Sequence, residues 1–264
     1  MDIFDNEINI ISRFQNLETT EILLLPENSK EAERICCLVH DKTKWKKWID
    51  TSAKNALPPD FYCDTESVMM DVMRIDDHES ISKKGQVVNP TRVKETQMMK
   101  ELRDAGVLDA FPNASPIVIG RTDLPTEQDH NYNFYKNSFA RTVKKHIGKI
   151  ANYKRNHPDY KTIFFVFDEA SPYFEAVEEI GEIYEGKRCS GKPHFWFLDE
   201  NFINVFNGSD VDYLIWYTPY KHCRLFADGS GENIELPVAT VIDIKKNDTQ
   251  SICYDTSKMV SAEV

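Results

Sequence analysis

The apolar positions along the chain predict short buried strands that alternate with amphipathic helices. The clearest strand lies within Lys161 to Pro172, where five apolar residues, Ile163 to Phe167, run directly into Asp168 and Glu169. An apolar run this short is typical of a strand that is buried on both faces, in a sheet covered by helices. Asp168 and Glu169 then fall where the strand leaves the core, and ligands of open α/β sheets bind at that carboxyl edge.

The stretch from Val68 to Ile75 predicts a second strand, and this one has charged residues inside it. Successive side chains of a strand point to opposite faces, so Asp71 and Arg74 lie on different faces. Buried charges are costly unless they are paired or bind a metal ion. One face carries Met69, Asp71, Met73 and Ile75, and the other carries Val68, Met70, Val72 and Arg74.

Further elements follow from caps, breakers and periodicity. Helices are predicted in residues 1–57 (with Asn28 as an N-cap and a last helix over Thr43 to Ala56), from Pro90 to Gly106, over Asn133 to Tyr153, from Pro172 to Gly186 and around Phe202 to Phe206. Strands are predicted at Ile22 to Leu25, Pro116 to Ile119, His194 to Leu198 and Tyr213 to Tyr217, with Cys223 to Phe226 and Val238 to Ile242 as a closing antiparallel pair.

This alternation predicts an α/β fold: a three-layer mixed β-sheet flanked by helices, with a helical N-terminal region and antiparallel strands near the C-terminus. The Leu57-Pro58-Pro59 breaker is the predicted boundary. The predicted organisation is a mainly helical region over residues 1–57, an α/β core domain over 60–246 and a tail over 247–264.

The composition is that of a globular chain that can form a sizeable core, with 41% hydrophobic and 28% charged residues. The net charge of −11 argues against a surface that coats nucleic acid uniformly, although it allows a local basic groove. The six cysteines form no CxxC pair, which fits a reducing compartment. Because we find no leader pattern and no apolar run that could span a bilayer, we expect a cytoplasmic protein without a membrane partner.

One helix candidate is strongly basic, since no acidic residue occurs between Asn131 and Pro158. Arg141, Lys145 and Lys149 are spaced four apart and can line one ridge of a helix. Such a ridge predicts contacts with the phosphate backbone of DNA or RNA, and the alternative is an ordinary solvated face. The predicted nucleic-acid-binding residues are Arg141, Lys144, Lys145 and Lys149.

Acidic residues in and beside the two strands predict a metal site. If the strands are parallel neighbours, Asp71 and Asp168 can converge, and their mutual repulsion would favour a bound cation. The predicted metal ligands are Asp71, Asp168, Glu66 and Asp76, with Mg²⁺ or Mn²⁺ as the ion. The predicted catalytic residues are Asp71, Asp168, Glu169 and His78, of which His78 is suited to act as a base or ligand.

A structural interpretation of the same residues stays open. Asp71 can pair with a Lys or Arg, while Glu169 and Ser171 can cap the next helix.

Two known patterns occur in unsuitable contexts. Gly186 to Lys192 matches G-x-x-x-x-G-K, but Pro193 stands where a P-loop has the Ser or Thr that binds Mg²⁺. Two sets of residues are similar to the core of PD-(D/E)XK nucleases: Asp168 with Glu185-Gly186-Lys187, and Asp228 with Asp243-Ile244-Lys245. The first set places Glu185 at a predicted helix end, and the second lies close to the C-terminus. No family is therefore assigned.

Two functions of different classes remain. The first is a metal-dependent phosphodiesterase or nuclease-like hydrolase, in which the acidic cluster of Asp71, Asp168 and Glu169 binds the ion and the basic helix contacts phosphates. The alternative is a non-catalytic protein–protein interaction subunit with an α/β fold, whose exposed aromatics and acidic run from Glu175 to Glu185 would bind a protein partner.

Overall fold

The structure, a computed structural model, describes residues 7–52, 59–78, 80–82, 84–106, 130–177, 191–221, 224–226 and 233–262. The predicted strand from Pro116 to Ile119, and the part of the predicted Pro172 to Gly186 helix beyond residue 177, lie outside these ranges. The α-helices of the described residues are α1 (Glu7–Phe14), α2 (Lys30–His40), α3 (Lys42–Trp45), α4 (Pro90–Asp104), α5 (Tyr132–Ile147), α6 (Ile150–Asn156) and α7 (Glu200–Ile203).

The strands of the described residues divide into one large sheet and three small ones. In chain order they are β1 (Ile22–Leu25), β2 (Ile49–Asp50), β3 (Phe61–Cys63), β4 (Val68–Ile75), β5 (Ser80–Ile81), β6 (Val87–Val88), β7 (Lys161–Asp168), β8 (Tyr173–Ala176), β9 (Gly191–Pro193), β10 (Tyr213–Tyr217), β11 (Arg224–Phe226), β12 (Asn233–Glu235), β13 (Ala239–Asp243) and β14 (Met259–Ser261).

A seven-stranded mixed sheet with the order β1-β13-β10-β7-β4-β3-β2 forms the centre of the fold. Strand β7 runs parallel to both neighbours, β4 and β10. Strand β13 pairs antiparallel with β10 and parallel with β1, and the β2–β3–β4 edge is antiparallel. The carboxyl ends of β4, β7 and β10 therefore share one edge of the sheet.

Helices cover both faces of this sheet. On one face, apolar residues of α1 and α2 pack with Val68, Met70 and Val72 of β4. On the other face, residues of α5, α6 and α7 pack with Met69, Met73 and Ile75. The predicted α/β fold with a mixed sheet between helical layers is confirmed, and so is the predicted alternation of side chains along β4.

The small sheets lie outside the central layer. Strand β8 pairs with β14 on one side and β9 on the other, and β11 pairs with β12. Residues 247–264, predicted as a tail, thus contribute β14 to a sheet. Strands β1 and β2, from the predicted N-terminal region, belong to the same central sheet as β4 and β7. Within the described part of the chain, no helix combines the length and hydrophobicity needed to cross a membrane.

Several local predictions match the structure. The strands Val68–Ile75 and Tyr213–Tyr217 have the predicted bounds, and α4 begins at Pro90 as predicted. The helix predicted around Phe202 to Phe206 is present as α7 followed by a short 3-10 helix.

Other predictions about the helices were wrong. Ser29, not Asn28, caps α2, because its hydroxyl accepts the Ala32 N–H at 3.2 Å. The helix predicted over Thr43 to Ala56 ends at Trp45 and is followed by β2. The long basic helix is two helices, α5 and α6, separated by a turn at Gly148, since glycine is a poor helix former.

The segment after Ser171 is a strand, whereas the sequence predicts a helix that starts at Pro172. Tyr173 and Ala176 are buried where β8 pairs with β14 and β9, so pairing across the chain overrides the local helical pattern. Trp196–Leu198 is a 3-10 helix instead of part of a strand. The predicted closing pair is also wrong, because β11 pairs with β12 while β13 lies inside the central sheet.

Candidate metal centre

Three potential metal ligands meet at the carboxyl end of β4. Asp77 and His78 lie two and three residues beyond the end of that strand, and His130 precedes the N-cap residue of α5. One ligand atom from each of the three side chains lies within 4.8 Å of the others. We call Asp77, His78 and His130 the metal triad, since a carboxylate oxygen and two imidazole nitrogens form a group that could hold a metal ion.

One oxygen of the Asp77 carboxylate is held firmly by the protein. Oδ2 accepts hydrogen bonds from the Ser171 amide at 3.1 Å, the Ser171 hydroxyl at 2.9 Å and the Tyr173 hydroxyl at 2.7 Å. Nδ1 of His130 lies 3.1 Å from the same oxygen. These contacts join the end of β4 to the start of β8 and fix the orientation of the carboxylate.

The other oxygen, Oδ1, is the unusual feature of the triad. The Asp77 side chain is 0% exposed, and Oδ1 has no hydrogen-bond partner among the described residues. Its ionic neighbour is Nε2 of His78 at 3.5 Å. An unsatisfied buried carboxylate oxygen costs free energy, so a cation placed here would neutralise it.

The ligand atoms of the triad lie within 4.8 Å of one another, so a single ion could contact all three after small side-chain shifts. Metal–ligand distances of about 2.0–2.1 Å in a tetrahedral site place the ligand atoms roughly 3.3 Å apart. Oδ1 of Asp77 lies 3.5 Å from His78 Nε2, while the 3.1 Å contact of His130 Nδ1 is with the other oxygen, Oδ2.

Asp77 is ready to act as an anionic ligand. Burial by itself raises the pKa of this carboxyl, but the His130 hydrogen bond, the charges of His130 and His78 and the Tyr173 hydroxyl together lower it to about 2. The carboxylate is therefore ionised across the physiological range.

Two helices begin beside the triad. The Asn131 amide donates to the Asp77 carbonyl at 3.4 Å, and Asn131 caps α5. Asn89, directly before α4, donates its side-chain amide to Asp76 Oδ2 at 3.0 Å. Helix N-termini carry partial positive charge, so both helix starts favour negative charge in this region.

The strand register separates the two aspartates that the sequence predicts as shared ligands. Asp71 lies opposite Phe164 and Asp168 lies opposite Ile75. Four residues of strand, roughly 13 Å, therefore separate them along the sheet. The expected convergence of Asp71 and Asp168 was wrong, because Asp71 sits in the middle of its strand.

Asp71 is satisfied by residues of α5 and α6. Its Oδ2 accepts hydrogen bonds from His146 Nδ1 and from the Tyr153 hydroxyl, the latter at 2.8 Å. Burial raises the pKa of Asp71, but the His146 and Tyr153 contacts outweigh it and lower the pKa. The partner is an imidazole, not the Lys or Arg of the structural interpretation.

Asp168 is enclosed in a separate buried cluster. Its Oδ2 accepts hydrogen bonds from the Lys221 ammonium and the Tyr135 hydroxyl at 2.6 Å each, and from Trp216 Nε1 at 2.9 Å. Its Oδ1 accepts the Ala170 amide at 2.9 Å. Both oxygens are thus occupied by protein donors.

The remaining predicted acids have partners outside the triad. Glu169 forms an ion pair with Arg74 at 2.7 Å instead of capping a helix. Glu66 lies 3.4 Å from Arg34, and Asp76 lies beside Asn89. Of the predicted site residues, the structure places His78 in the triad, with Asp76 adjacent to it.

The predicted nucleic-acid-binding residues lie far from the triad, three of them on α5 and Lys149 in the turn that follows it. At about 1.5 Å per residue, Lys144 lies roughly 21 Å from His130. Lys144 and Lys145 are exposed, while Arg141 and Lys149 are partly buried. We call these four residues the basic surface.

Sequence reasoning missed two members of the triad. Asp77 is recognisable in the sequence as an acid near a strand end, but no local pattern distinguishes it from the neighbouring Asp76. His130 carries no metal-binding spacing motif, and His130 and Asp77 are separated by 53 positions. Its one local signal is its place directly before a helix cap.

For the nuclease-like patterns, Asp243 lies on β13, whereas Glu185, Gly186, Lys187 and Asp228 are outside the described residues.

The chain matches no family model, and no curated protein or solved structure is similar enough to count as a match.

Proposed function

We propose that this protein is a metal-dependent phosphodiesterase that holds a divalent ion at the metal triad and acts on nucleic acid. The observation that carries the proposal is the buried Oδ1 of Asp77, which has no hydrogen-bond partner among the described residues and faces His78. Asp77, His78 and His130 replace Asp71 and Asp168 as the proposed ligands.

The ligand chemistry favours a transition metal. Mg²⁺ prefers an octahedral set of oxygens, whereas imidazole suits zinc and its first-row neighbours. Of the two ions predicted from the sequence, Mn²⁺ fits two imidazoles better than Mg²⁺ does, and Zn²⁺ fits them at least as well. A bound divalent ion would polarise a phosphoryl oxygen and generate a nucleophile from water.

Two features favour a phosphodiester substrate. The starts of α4 and α5 add positive potential beside the triad, which suits an anionic group. The basic surface lies roughly 21 Å away, a distance that about six base pairs of nucleic acid would span. A long polyanion would reach both regions, whereas a single nucleotide would contact the triad alone.

Metal content and thermal stability test the proposal. Purified protein dialysed against Zn²⁺, Mn²⁺ or Mg²⁺ should retain about one transition-metal ion, and its melting temperature should rise with metal concentration. His78→Gln and His130→Gln should lose both effects. His157→Gln is the matched control, because His157 packs against Tyr62 and Tyr160 away from the triad.

Activity is measured on a nucleic-acid oligonucleotide and on a small phosphodiester, with the same variants. We expect metal-dependent cleavage that His130→Gln abolishes and His157→Gln keeps. Wild-type protein that retains no metal, or that binds metal equally well after both triad substitutions, would rule out the site. Metal binding without any cleavage would favour the alternative of a non-catalytic subunit.

A further inference from the structure

We propose that Tyr173 is a positioning residue for the metal triad, and that a buried cluster of Tyr135, Lys221 and Asp168 keeps Tyr173 in place. This inference rests on the proposed function, because it concerns how the same ion would be held. It also gives Asp168 a role that differs from the predicted one, since Asp168 would act on the ion indirectly.

Tyr173 contacts the ligand itself. Its hydroxyl donates to Oδ2 of Asp77 at 2.7 Å, a shorter contact than those of the Ser171 amide and hydroxyl with that oxygen. A donor fixed on Oδ2 turns Oδ1 toward His78 and makes the carboxylate a preorganised ligand.

The Tyr173 ring is held by aromatic neighbours. It stacks on Tyr135 with the centroids 5.9 Å apart and the planes within 5° of parallel. Tyr132 meets the ring edge-on at 5.7 Å, and His194 does so at 6.4 Å. Such contacts leave the ring little freedom, because a buried aromatic side chain fits one arrangement of its neighbours.

Tyr135 is in turn fixed through its hydroxyl. That oxygen lies 2.6 Å from both the Asp168 carboxylate and the Lys221 ammonium. The ammonium also lies 3.9 Å from the centre of the Tyr135 ring. Lys221 and Asp168 are completely buried, and neither has room to move without leaving a charge unpaired.

A continuous series of contacts therefore runs from the end of β10 to the metal triad. Lys221 and Asp168 hold Tyr135, Tyr135 supports the Tyr173 ring, and the Tyr173 hydroxyl orients Asp77. Outer hydrogen-bond partners of this kind change metal affinity about 10–100-fold when they are removed.

The test compares Tyr173→Phe with Tyr153→Phe. Each removes one buried hydroxyl that donates to a buried aspartate, but the Tyr153 hydroxyl bonds Asp71, outside the triad. The measurements are the Zn²⁺ and Mn²⁺ dissociation constants, the visible absorption spectrum of the Co²⁺-loaded protein and the melting temperature of the metal-free protein.

We expect Tyr173→Phe to weaken metal binding about 10–100-fold and to change the Co²⁺ spectrum. Tyr153→Phe should leave both unchanged, even if the metal-free melting temperatures of the two variants fall alike. Tyr135→Phe keeps the stacked ring, and it should weaken binding severalfold; this variant decides the question if Tyr173→Phe does not fold.

Suppose that wild type binds metal, and that Tyr173→Phe and Tyr135→Phe bind it with the same affinity and the same Co²⁺ spectrum. This result would overturn the positioning role alone. Wild-type protein that binds no metal would instead overturn the proposed function, and the positioning role with it.

Discussion

The ammonium of Lys221 lies 2.6 Å from the Asp168 carboxylate, and both side chains are 0% exposed. Burial lowers the pKa of Lys221, and the neighbouring Asp168 charge opposes that effect. Two opposite charges buried together are tolerated because each neutralises the other. The pair joins the carboxyl ends of β7 and β10, so its loss would affect the centre of the sheet.

Removal of one member of this pair should be strongly destabilising. Lys221→Met leaves Asp168 as a buried charge without its cation, and we expect a loss of about 3–5 kcal/mol in the free energy of unfolding. Urea denaturation at neutral pH measures the loss. Lys161→Met is the matched control, because Lys161 is 57% exposed and lies 3.3 Å from Asp212, so its loss should be about 0–1 kcal/mol. Equal effects of the two substitutions would contradict the importance of the buried pair.

Asp60 should make the protein less stable as the pH rises. Burial and the nearby charge of Asp71 raise the pKa of Asp60 to about 7. The folded state therefore binds this proton more tightly than the unfolded state, whose Asp pKa is about 3.9. The resulting cost is absent below about pH 4, grows up to about pH 7 and stays constant above it.

Asp60→Asn tests this sign directly. The amide can still accept the Val72 N–H, which Asp60 Oδ2 accepts at 2.8 Å, and it carries no charge. Relative to wild type, the variant should gain stability as pH rises from 4 to 7 and keep that gain at pH 8. Denaturation midpoints across this range measure the difference. A gap between the two proteins that stays constant or narrows from pH 4 to pH 8 would show that folding does not raise the pKa of Asp60.

The basic surface should control the salt dependence of nucleic-acid binding. If Lys144 and Lys145 contact phosphates, Lys144→Gln/Lys145→Gln should reduce the slope of log affinity against log salt by roughly 0.9 for each contact with duplex DNA. Binding titrations at several salt concentrations provide the slope. Lys46→Gln/Lys47→Gln is the control, because both lysines are exposed and lie outside α5. An identical slope for all three proteins would mean that the basic surface is a solvated face.

The segment after Ser171 illustrates why local patterns mislead where distant residues take part. Its Pro172 start and apolar spacing are typical of a helix. In the fold, however, Ser171 and Tyr173 donate to Asp77, and β8 lies between β9 and β14. These partners come from distant parts of the chain, and together they outweigh a local preference of a few tenths of a kcal/mol per residue.

The amino-acid sequence alone determined the strands β4 and β7, the faces of β4 and the α/β class, because alternation and apolar runs are local properties. It also indicated the carboxyl edge of the sheet as the place for a ligand. Only the tertiary structure decided which charges meet there. His146 reaches Asp71 across 75 positions, and Lys221 reaches Asp168 across 53. Such pairings depend on strand register and helix placement. The sequence alone therefore does not distinguish aspartates that are paired within the protein, such as Asp71 and Asp168, from Asp77 of the metal triad.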